Sequence, residues 1–544
     1  MAEIHIGRQT IATRKGVTLL ESMLSAGVLL RSDCGGRGRC GKCLVGVAGA
    51  EAGGLSEPDE GERKALGAEH LAAGRRLACR AHVLGEVSLD VPDESRLTPE
   101  VVHKGPPILV SRLESLPPPR RARRSCDYGI AVDLGTTTIA VYLCDLETRT
   151  VAASTSLRNP QAIFGDDVIS RISAVLSDPA ALPRLQNMVV SAVDWAALAL
   201  CRQAQIDPQR IGSAVAVGNS TMMHLLLGED PSPIGAFPYS PRFVDERSLV
   251  AGSIGLRFSP GACLRTLPLI SGYLGADIIG AALATDLIEM PHGTMLVDVG
   301  TNGEVMLMTG HGLAATSCAT GPALEGAAVR HGMQATSGAI DSVCFDRETG
   351  RLTYTVIQRE TGPRRLPAGI CGSGIVSAVA ELLRAGVISK NGSFELSCPS
   401  PRLRRGANGA LEFELVPEQA TENGRPITLT QGDVRAVQLA KGALRTGVDL
   451  LCREMKIPRP SKILLAGAFG SHIEKRDALQ IGMFPSMKEE EIEVVGNAAG
   501  AGAILALCDE AYFDRSRDVA KATKVFDLAG HPDFQAMFIQ SLAF

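Results

Sequence analysis

The sequence predicts a multidomain α/β protein: a small α+β unit at the N-terminus, then a larger α/β fold built from two similar halves. Three observations carry this prediction. The chain has 544 residues, enough for roughly two to four domains. From Asp127 onward, glycine-rich turns punctuate alternating apolar strands and amphipathic helices. One strand–turn–strand pattern also occurs twice, as AVDLGTTTIAVYL over Ala131–Leu143 and LVDVGTNGEVMLM over Leu296–Met308. In each copy an apolar strand ends in Asp, a Gly-Thr turn follows and a second strand returns.

Within residues 1–93 the elements follow in order. Glu3–Ile6 and Gln9–Ala12 read as a hairpin, and Val17–Gly27 as an amphipathic helix. A cysteine-rich loop follows, then strand Leu44–Val47, and Gly85–Val91 alternates as a closing strand. Acidic and basic residues balance over this unit, which leaves no net charge to steer docking. The whole chain carries a formal charge of −4, so neither nucleic acid nor an anionic membrane is expected as partner. The N-terminus MAEIHIGRQT has no apolar core of a signal peptide, and no run of about 18 apolar residues predicts a transmembrane helix. Fourteen cysteines without an export signal argue for a cytoplasmic protein rather than a disulfide framework.

Four of those cysteines, Cys34, Cys40, Cys43 and Cys79, stand as C-x5-C-x2-C with the fourth far downstream. The stretch CGGRGRCGKC also matches two nucleotide motifs, and both fail. The G-x-G-x-x-G fingerprint needs a strand before it and a helix after it, and here the order is reversed. A P-loop needs Ser or Thr after its Lys, and Cys43 occupies that place. The remaining readings are an iron–sulfur cluster, a zinc site or a group of reduced thiols. Zinc commonly takes two short C-x2-C pairs, and only one is present. Gly35, Gly36, Gly38 and Gly41 suit a loop that wraps a compact cluster and turns its amides toward sulfur. Plant-type [2Fe-2S] ferredoxins space their ligands as C-x4-C-x2-C…C. One residue more in the first gap resembles the adrenodoxin-type branch, and the first ninety residues resemble its β-grasp fold. The resemblance implies that Cys34, Cys40, Cys43 and Cys79 hold a [2Fe-2S] cluster.

Residues 94–126 differ in kind. They contain Pro99, Pro106, Pro107 and Pro117–Pro119, then a basic run from Arg120 to Arg124, and read as a linker with a solvated charged face.

The duplicated hairpins have a mechanism of their own. A tight Gly-Thr turn presents backbone amides and hydroxyls to phosphate, and the Asp at the strand end orients magnesium-bound water. Asp133–Thr138 and Asp298–Gly303 resemble the two phosphate loops of the actin, Hsp70 and sugar-kinase superfamily, with its RNase H-like halves. Lys462–Gly470 resembles that superfamily's adenosine motif, and Gly496–Ala503 its small-residue helix at an interdomain hinge. Val217–Met222 is the counterpart in the first half. The resemblance implies an ATPase with residues 127–288 and 289–544 as its halves. It implies nucleotide and Mg2+ binding by Asp133, Gly135, Thr136, Thr137, Asp298, Gly300, Thr301, Asn302, Gly303, Gly467 and Gly470. Asp133, Asp298 and Glu304 are the candidate catalytic groups, with Glu304 orienting water; the alternative for Glu304 is a surface strand carboxylate. Gln438 and Lys441 either flank the nucleotide or lie on a solvated helix face.

A ferredoxin-type unit, a linker and such an ATPase in one chain resemble the reductive activators of corrinoid proteins. Asn159–Gln161 leading to Gly165–Ile172, Ala319–Gly326, Gly369–Gly374 and Asp433–Gly442 resemble segments of that family as well. The 319–326 loop has no reading of its own beyond a Gly-Pro turn, and Cys371 reads as a buried thiol. The resemblance implies ATP-dependent transfer of an electron from the [2Fe-2S] cluster to a B12-binding protein of a methyltransferase system, returning inactive Co(II) to Co(I). It also implies an upstream electron donor and a homodimer. Two other readings remain: an ATP-driven donor to a different metalloenzyme, and a small-molecule kinase or ATP-binding redox sensor.

Overall fold

The computed structural model describes residues 1–544 apart from 33, 39, 49–52, 98–99, 102–125, 301, 327–328, 359–363, 399, 407–408, 468–469 and 529. The chain divides into two compact units. The first comprises the described residues up to Gly275 together with Ala506–Glu510; the second comprises the remainder from Ala276 onward.

The first unit holds two sheets. The N-terminal sheet has five strands in the order Gln9–Thr13, Ala2–Ile6, Val87–Asp90, Leu44–Ala48, Arg75–Leu77. Ala2–Ile6 and Gln9–Thr13 form the expected hairpin, and Val87–Asp90 closes the sheet parallel to Ala2–Ile6. The helix is shorter than the sequence pattern suggests. It runs Leu19–Ser25, with Thr18 capping the Glu21 amide, and Gly27 turns away at φ +79°. Leu19, Leu20, Met23 and Leu24 are buried, as expected for one apolar face at helical spacing.

The second sheet of this unit has seven strands, Ser248–Val250, Cys263–Thr266, Ile211–Gly218, Tyr128–Leu134, Thr138–Asp145, Thr150–Arg158 and Glu100–Val101. The last of these pairs with Thr150–Arg158, so part of the segment read as linker is built into a sheet. The basic run Arg120–Arg124 lies outside the described residues. Helix Ala181–Ala204 covers the sheet and also meets the N-terminal unit, where Arg184 binds both Glu21 and Asp178, and Arg14 binds Asp178 at 2.8 Å.

The second unit is built on six strands ordered Ile492–Gly496, Lys462–Ala466, Thr294–Val299, Gly303–Thr309, Gly312–Cys318, Thr523–Val525. Two three-stranded sheets accompany it, and a continuous apolar core joins the sheet to helices Gly372–Arg384 and Gln431–Glu454. In both units a three-stranded antiparallel meander carries the repeated hairpin, and parallel strands continue the sheet beside it. The small-residue helix is Ala498–Cys508, and Gly502 packs directly on the backbone of Gly280 in helix Ala276–Thr285.

Candidate functional site

The cysteine loop follows helix Leu19–Ser25 and leads into strand Leu44–Ala48. Its glycines take the backbone that only glycine adopts freely: Gly35, Gly36, Gly38 and Gly41 have φ of 63°, 79°, 71° and 67°. The fourth cysteine is positioned from beneath. Glu62 is fully buried and accepts two bonds from Arg76, each at 3.0 Å, and one from the Leu77 amide at 2.7 Å. That ties helix Glu60–Ala72 to the strand that ends just before Cys79. The Ala78 amide in turn donates to the Cys43 carbonyl, and Leu20 to the Ala78 carbonyl.

The four thiols gather as two pairs. Cys40 is hydrogen-bonded to Cys34, and Cys79 to Cys43. The bond to Cys34, then burial, pushes the Cys40 thiol up; the bond to Cys43, then burial, does the same for Cys79. The Cys43 thiol is pushed down chiefly by its bond with Cys79. Backbone donors from Lys42 and Gly38 stabilise the charged forms of Cys40 and Cys79. Among the described residues no three His, Cys, Asp or Glu side chains converge as a single-ion site. Two adjacent thiol pairs with amide donors suit a two-iron cluster, each iron taking one pair, better than a zinc ion that needs four donors at one centre. The donor set therefore fits a [2Fe-2S] group. Cys43 and Cys79 are buried, whereas Cys34 and Cys40 reach the surface in part.

In the first unit the turn Gly135–Thr137 joins Tyr128–Leu134 to Thr138–Asp145, with Asp133 at the end of the incoming strand. Its carbonyls are all held. Asn159 Nδ2 donates to the Gly135 carbonyl at 3.0 Å, the Asn159 amide to the Thr137 carbonyl at 2.8 Å, and Arg171 Nη2 to the Thr136 carbonyl at 2.5 Å. Asn159 and Arg171 are fully buried. A trans peptide points its N–H opposite to its C=O, so the Thr136 and Thr137 amides face away from these anchors, as an anion cradle requires. Asn219 donates to Thr136 Oγ1 at 2.9 Å and caps helix Ser220–Leu227 through the Met222 amide. The Val217–Met222 segment thus braces the Gly135–Thr137 turn.

In the second unit Asp298 lies at the same place in its hairpin. It is the register partner of Glu304 across the strands and of Ala466 on the parallel neighbour. Glu304 is 4% exposed, which overturns the surface-carboxylate reading. The Gly300 amide closes the turn on the Asn302 carbonyl at 3.2 Å. Thr301 lies outside the described residues. Gly303 packs against Thr320 and Leu444, and Gly470 opens a short 3-10 turn beside Leu465. Gly467 has φ +94°, and a Cβ there would stand 2.6 Å from Asp298 Oδ1, so the turn after Lys462–Ala466 approaches Asp298 as only glycine permits.

Sequence reasoning missed a second repeat. Where Asn159 holds the Gly135 carbonyl, Thr320 Oγ1 donates to the Gly300 carbonyl at 3.0 Å. Each anchor follows the third strand of its meander, and each leads into a 3-10 turn that begins with proline, Pro160–Phe164 and Pro322–Glu325. The signal was Asn-Pro in one copy and Thr-Gly-Pro in the other, which differ in both the anchoring residue and its spacing to proline. The 319–326 loop thereby gains a role as the pin of the second turn.

Gln438 and Lys441 are neither solvated nor open to a ligand here. Both are buried; Gln438 donates to the Asn391 and Leu542 carbonyls at 3.2 and 2.8 Å, and Lys441 to the Ala543 carbonyl, with its ammonium over the Phe544 ring. Burial, and then the Arg445 charge, lowers the Lys441 pKa to about 8. Cys371 is buried and donates to the Ile340 carbonyl at 3.2 Å, as a structural thiol does.

These features define a class: a ferredoxin-type [2Fe-2S] unit joined in one chain to an ATPase of the actin, Hsp70 and sugar-kinase type. Residues 4–84 match the 2Fe-2S iron-sulfur cluster binding domain, residues 128–290 the RACo middle region, and residues 292–544 the C-terminal domain of RACo, the ASKHA domain. The chain is 35% identical over 425 residues to the corrinoid activation enzyme RamQ of Eubacterium limosum, spanning 77% of this chain and 70% of that protein. It is 26% identical over 428 residues to the [Co(II) methylated amine-specific corrinoid protein] reductase of Methanosarcina barkeri, spanning 73% and 72%. A solved reductive activator for corrinoid, iron-sulfur protein superposes with a TM-score of 0.72 at 27% identity, covering 100% of this chain and 98% of that one. The chain belongs to the family of reductive activators of corrinoid proteins.

Proposed function

We infer that this protein is an ATP-dependent reductase that activates a corrinoid protein, returning its cobalt from Co(II) to Co(I) within a methyltransferase system. The observation that carries this reading is the joining, in one chain, of the paired thiols and the two braced Gly-Thr hairpins, in a sequence 35% identical to a corrinoid activation enzyme. Bound at Cys34, Cys40, Cys43 and Cys79, a [2Fe-2S] cluster supplies a one-electron carrier. Asp133, Gly135, Thr136 and Thr137 in one hairpin, with Asp298, Gly300, Thr301, Asn302 and Gly303 in the other, hold the phosphates and Mg2+ of ATP. Gly467 and Gly470 line the adenosine side, and Glu304, with Asp298 and Asp133, orients the attacking water. The division into 1–93, 94–126, 127–288 and 289–544 follows the change of task along the chain, with Glu100–Val101 of the second segment paired into the sheet of the third. An external donor reloads the carrier, the active form is a homodimer, and the protein works in the cytoplasm. No helix among the described residues is long and apolar enough to cross a membrane.

ATP has a physical reason to be there. Reducing a Co(II) corrinoid requires a lower potential than a ferredoxin-type carrier ordinarily holds, so transfer must be coupled to a second favourable process. Nucleotide does that if it binds the productive complex with a different affinity from the resting one. The test is anaerobic: reconstituted protein, a chemical reductant, a Co(II) corrinoid protein, with and without MgATP, followed by the corrinoid absorption spectrum. Co(I) should appear only with ATP. ATP hydrolysis without any corrinoid reduction, across methyltransferase corrinoid partners from one host, would remove the assignment, and phosphate transfer to a small acceptor would replace it with a kinase.

A further inference from the structure

One short segment touches both candidate sites of the first unit. Residues 158–171 leave strand Thr150–Arg158, pass through the Pro160–Phe164 turn and enter helix Val168–Ser177. On one side the segment holds the phosphate turn, through Asn159 and Arg171, by all three of its carbonyls. Gln161 stiffens this side. It is fully buried, accepts from Arg171 Nη1 at 3.0 Å and donates to the Leu185 carbonyl at 2.8 Å.

On the other side the same segment holds the cysteine loop. Asp166 takes a bond from Arg158 Nη2 at 3.0 Å and an ion pair from Arg37, which lies between Cys34 and Cys40. The Arg158 guanidinium, the Ala162 carbonyl and the Asp166 carboxylate surround Gly35, at 2.9, 3.4 and 3.4 Å from where its Cβ would stand. Ile163 packs on Gly36. Asp166 and Arg158 are largely buried, with side-chain exposures of 10% and 18%, so their pairing is little screened by solvent. From Arg37 to Thr136 the connection runs through side chains of one stretch of backbone, with buried hydrogen bonds at the Thr136 end and a partly exposed ion pair at the Arg37 end.

We propose that residues 158–171 form a strap through which phosphate bound at the Gly135–Thr137 turn and the redox state of the cluster loop bias one another, with Asp166, Arg158 and Arg37 as its positioning residues on the cluster side. This rests on the ATP and [2Fe-2S] reading above and adds the route of coupling. Phosphate drawn to the Thr136 and Thr137 amides pulls on a turn whose carbonyls are fixed to the strap. The strap then shifts against Gly35 and Arg37. In the reverse sense, one more negative charge beside Cys34 strengthens the pull on Arg37 and loosens its hold on Asp166. Coupling of this kind is reciprocal: if reduction changes nucleotide affinity by some factor, nucleotide changes the reduction equilibrium by the same factor. For a one-electron couple a tenfold factor is about 59 mV.

The experiment uses the full chain with its cluster reconstituted. The dissociation constant of the nonhydrolysable analogue adenylyl imidodiphosphate with Mg2+ is measured for oxidised and dithionite-reduced protein. The midpoint potential is measured with and without the analogue. In the unaltered protein the two affinities should differ by about fivefold or more, the lower end of ordinary allosteric coupling, with a potential shift of about 41 mV to match. In Asp166→Asn and Arg37→Gln the difference should collapse to within twofold, while the cluster's absorption and the affinity of the oxidised form are retained. Arg37→Lys should keep part of it. Arg37 is half-exposed, so its variant tests the strap even if the Asp166 variant fails to fold. Equal affinities in the two redox states of the unaltered protein, or coupling that survives both substitutions, overturns the strap while leaving the reductase reading intact. Loss of nucleotide binding or of the cluster in the unaltered protein overturns both.

Discussion

Asp298 and Glu304 face each other directly across the second hairpin, and Glu304 is buried there. Register partners in an antiparallel pair project to the same face of the sheet, and like charges so placed repel. A cation or a polarised water shared between two such carboxylates offsets the repulsion, as a magnesium–nucleotide complex would. Replacing Glu304 by Gln keeps the shape and removes the charge. Phosphate release from MgATP should fall by about a hundredfold or more, the usual contribution of a group that handles the proton of attacking water. The affinity for a nonhydrolysable analogue should change little. Unaltered turnover in the Gln variant would exclude Glu304 from water orientation.

Gly467 sets how closely the turn after Lys462–Ala466 comes to Asp298. Alanine there meets both the carboxylate of Asp298 and the Val299 carbonyl, at 2.6 and 2.8 Å, and must hold a φ of +94°. Together these cost on the order of 1–3 kcal/mol, and relief requires moving Asp298. Gly467→Ala should therefore weaken MgATP binding about tenfold and lower the melting temperature of the apoprotein. Isothermal titration and a thermal scan measure the two effects separately; unchanged affinity would mean that the turn does not set the nucleotide site.

The pairing of the thiols bears on metal content. Reconstituted protein should hold about two irons and two labile sulfides per chain, with visible absorption that bleaches on reduction. Serine at Cys43 or Cys79 should abolish that absorption, because both positions are buried and fixed by the backbone bonds around Ala78. Serine at Cys371 or Cys344 should leave it unchanged. Iron, sulfide and zinc analysis decides the matter: one zinc and no sulfide after anaerobic reconstitution would return the loop to a zinc site.

Much of this was legible from residue pattern, and the reason differs by site. The four ligand cysteines, with glycines between them, encode a loop whose backbone has few alternatives, so ligand set and fold emerge together. The Asp-x-Gly-Thr hairpins were legible because the strand, its terminal Asp and the turn are contiguous. The anchors were not. Asn159 and Thr320 act on carbonyls 24 and 20 residues away, and their chemistry is a single donor to a carbonyl, which many residue types supply. Lys441 was misread for the opposite reason. Its helical spacing fitted a solvated face, but a lysine's long stem can be buried when a carbonyl and an aromatic ring receive its ammonium, as Ala543 and Phe544 do.

The brace of the Gly135–Thr137 turn should make this unit sensitive to acid. Asn219 holds Thr136 and caps the helix that carries His224, so the ring and the turn share one short element. His224 is buried and stacks on Phe243 with ring centroids 4.4 Å apart. Its Nε2 accepts the Arg242 amide at 3.0 Å, which leaves Nδ1 to donate to the Ser220 carbonyl at 2.7 Å. That arrangement needs the neutral ring. Burial is the main cause that holds its pKa below 6.5; the Ser220 carbonyl, Glu229 and Asp230 oppose it, and the Arg242 charge adds to it. The unfolded chain therefore binds the proton first as pH falls. Well above pH 6.5 both states are neutral and protonation of the ring does not alter stability; from about 6.5 down to the lowered folded pKa, the unfolded state gains protons and folding loses free energy. Trp195 is the single tryptophan and lies in helix Ala181–Ala204 of the same unit, so its fluorescence reports unfolding there. Urea midpoints followed by Trp195 should drop between pH 7.5 and 5.5 in the unaltered protein. In His224→Gln the same drop should be smaller, although the variant starts from a lower midpoint because it loses the stacking. His331 is lowered by burial too, but it belongs to the second unit and should leave the Trp195 transition unmoved. An identical pH difference in the two proteins would show that another group governs the acid limb.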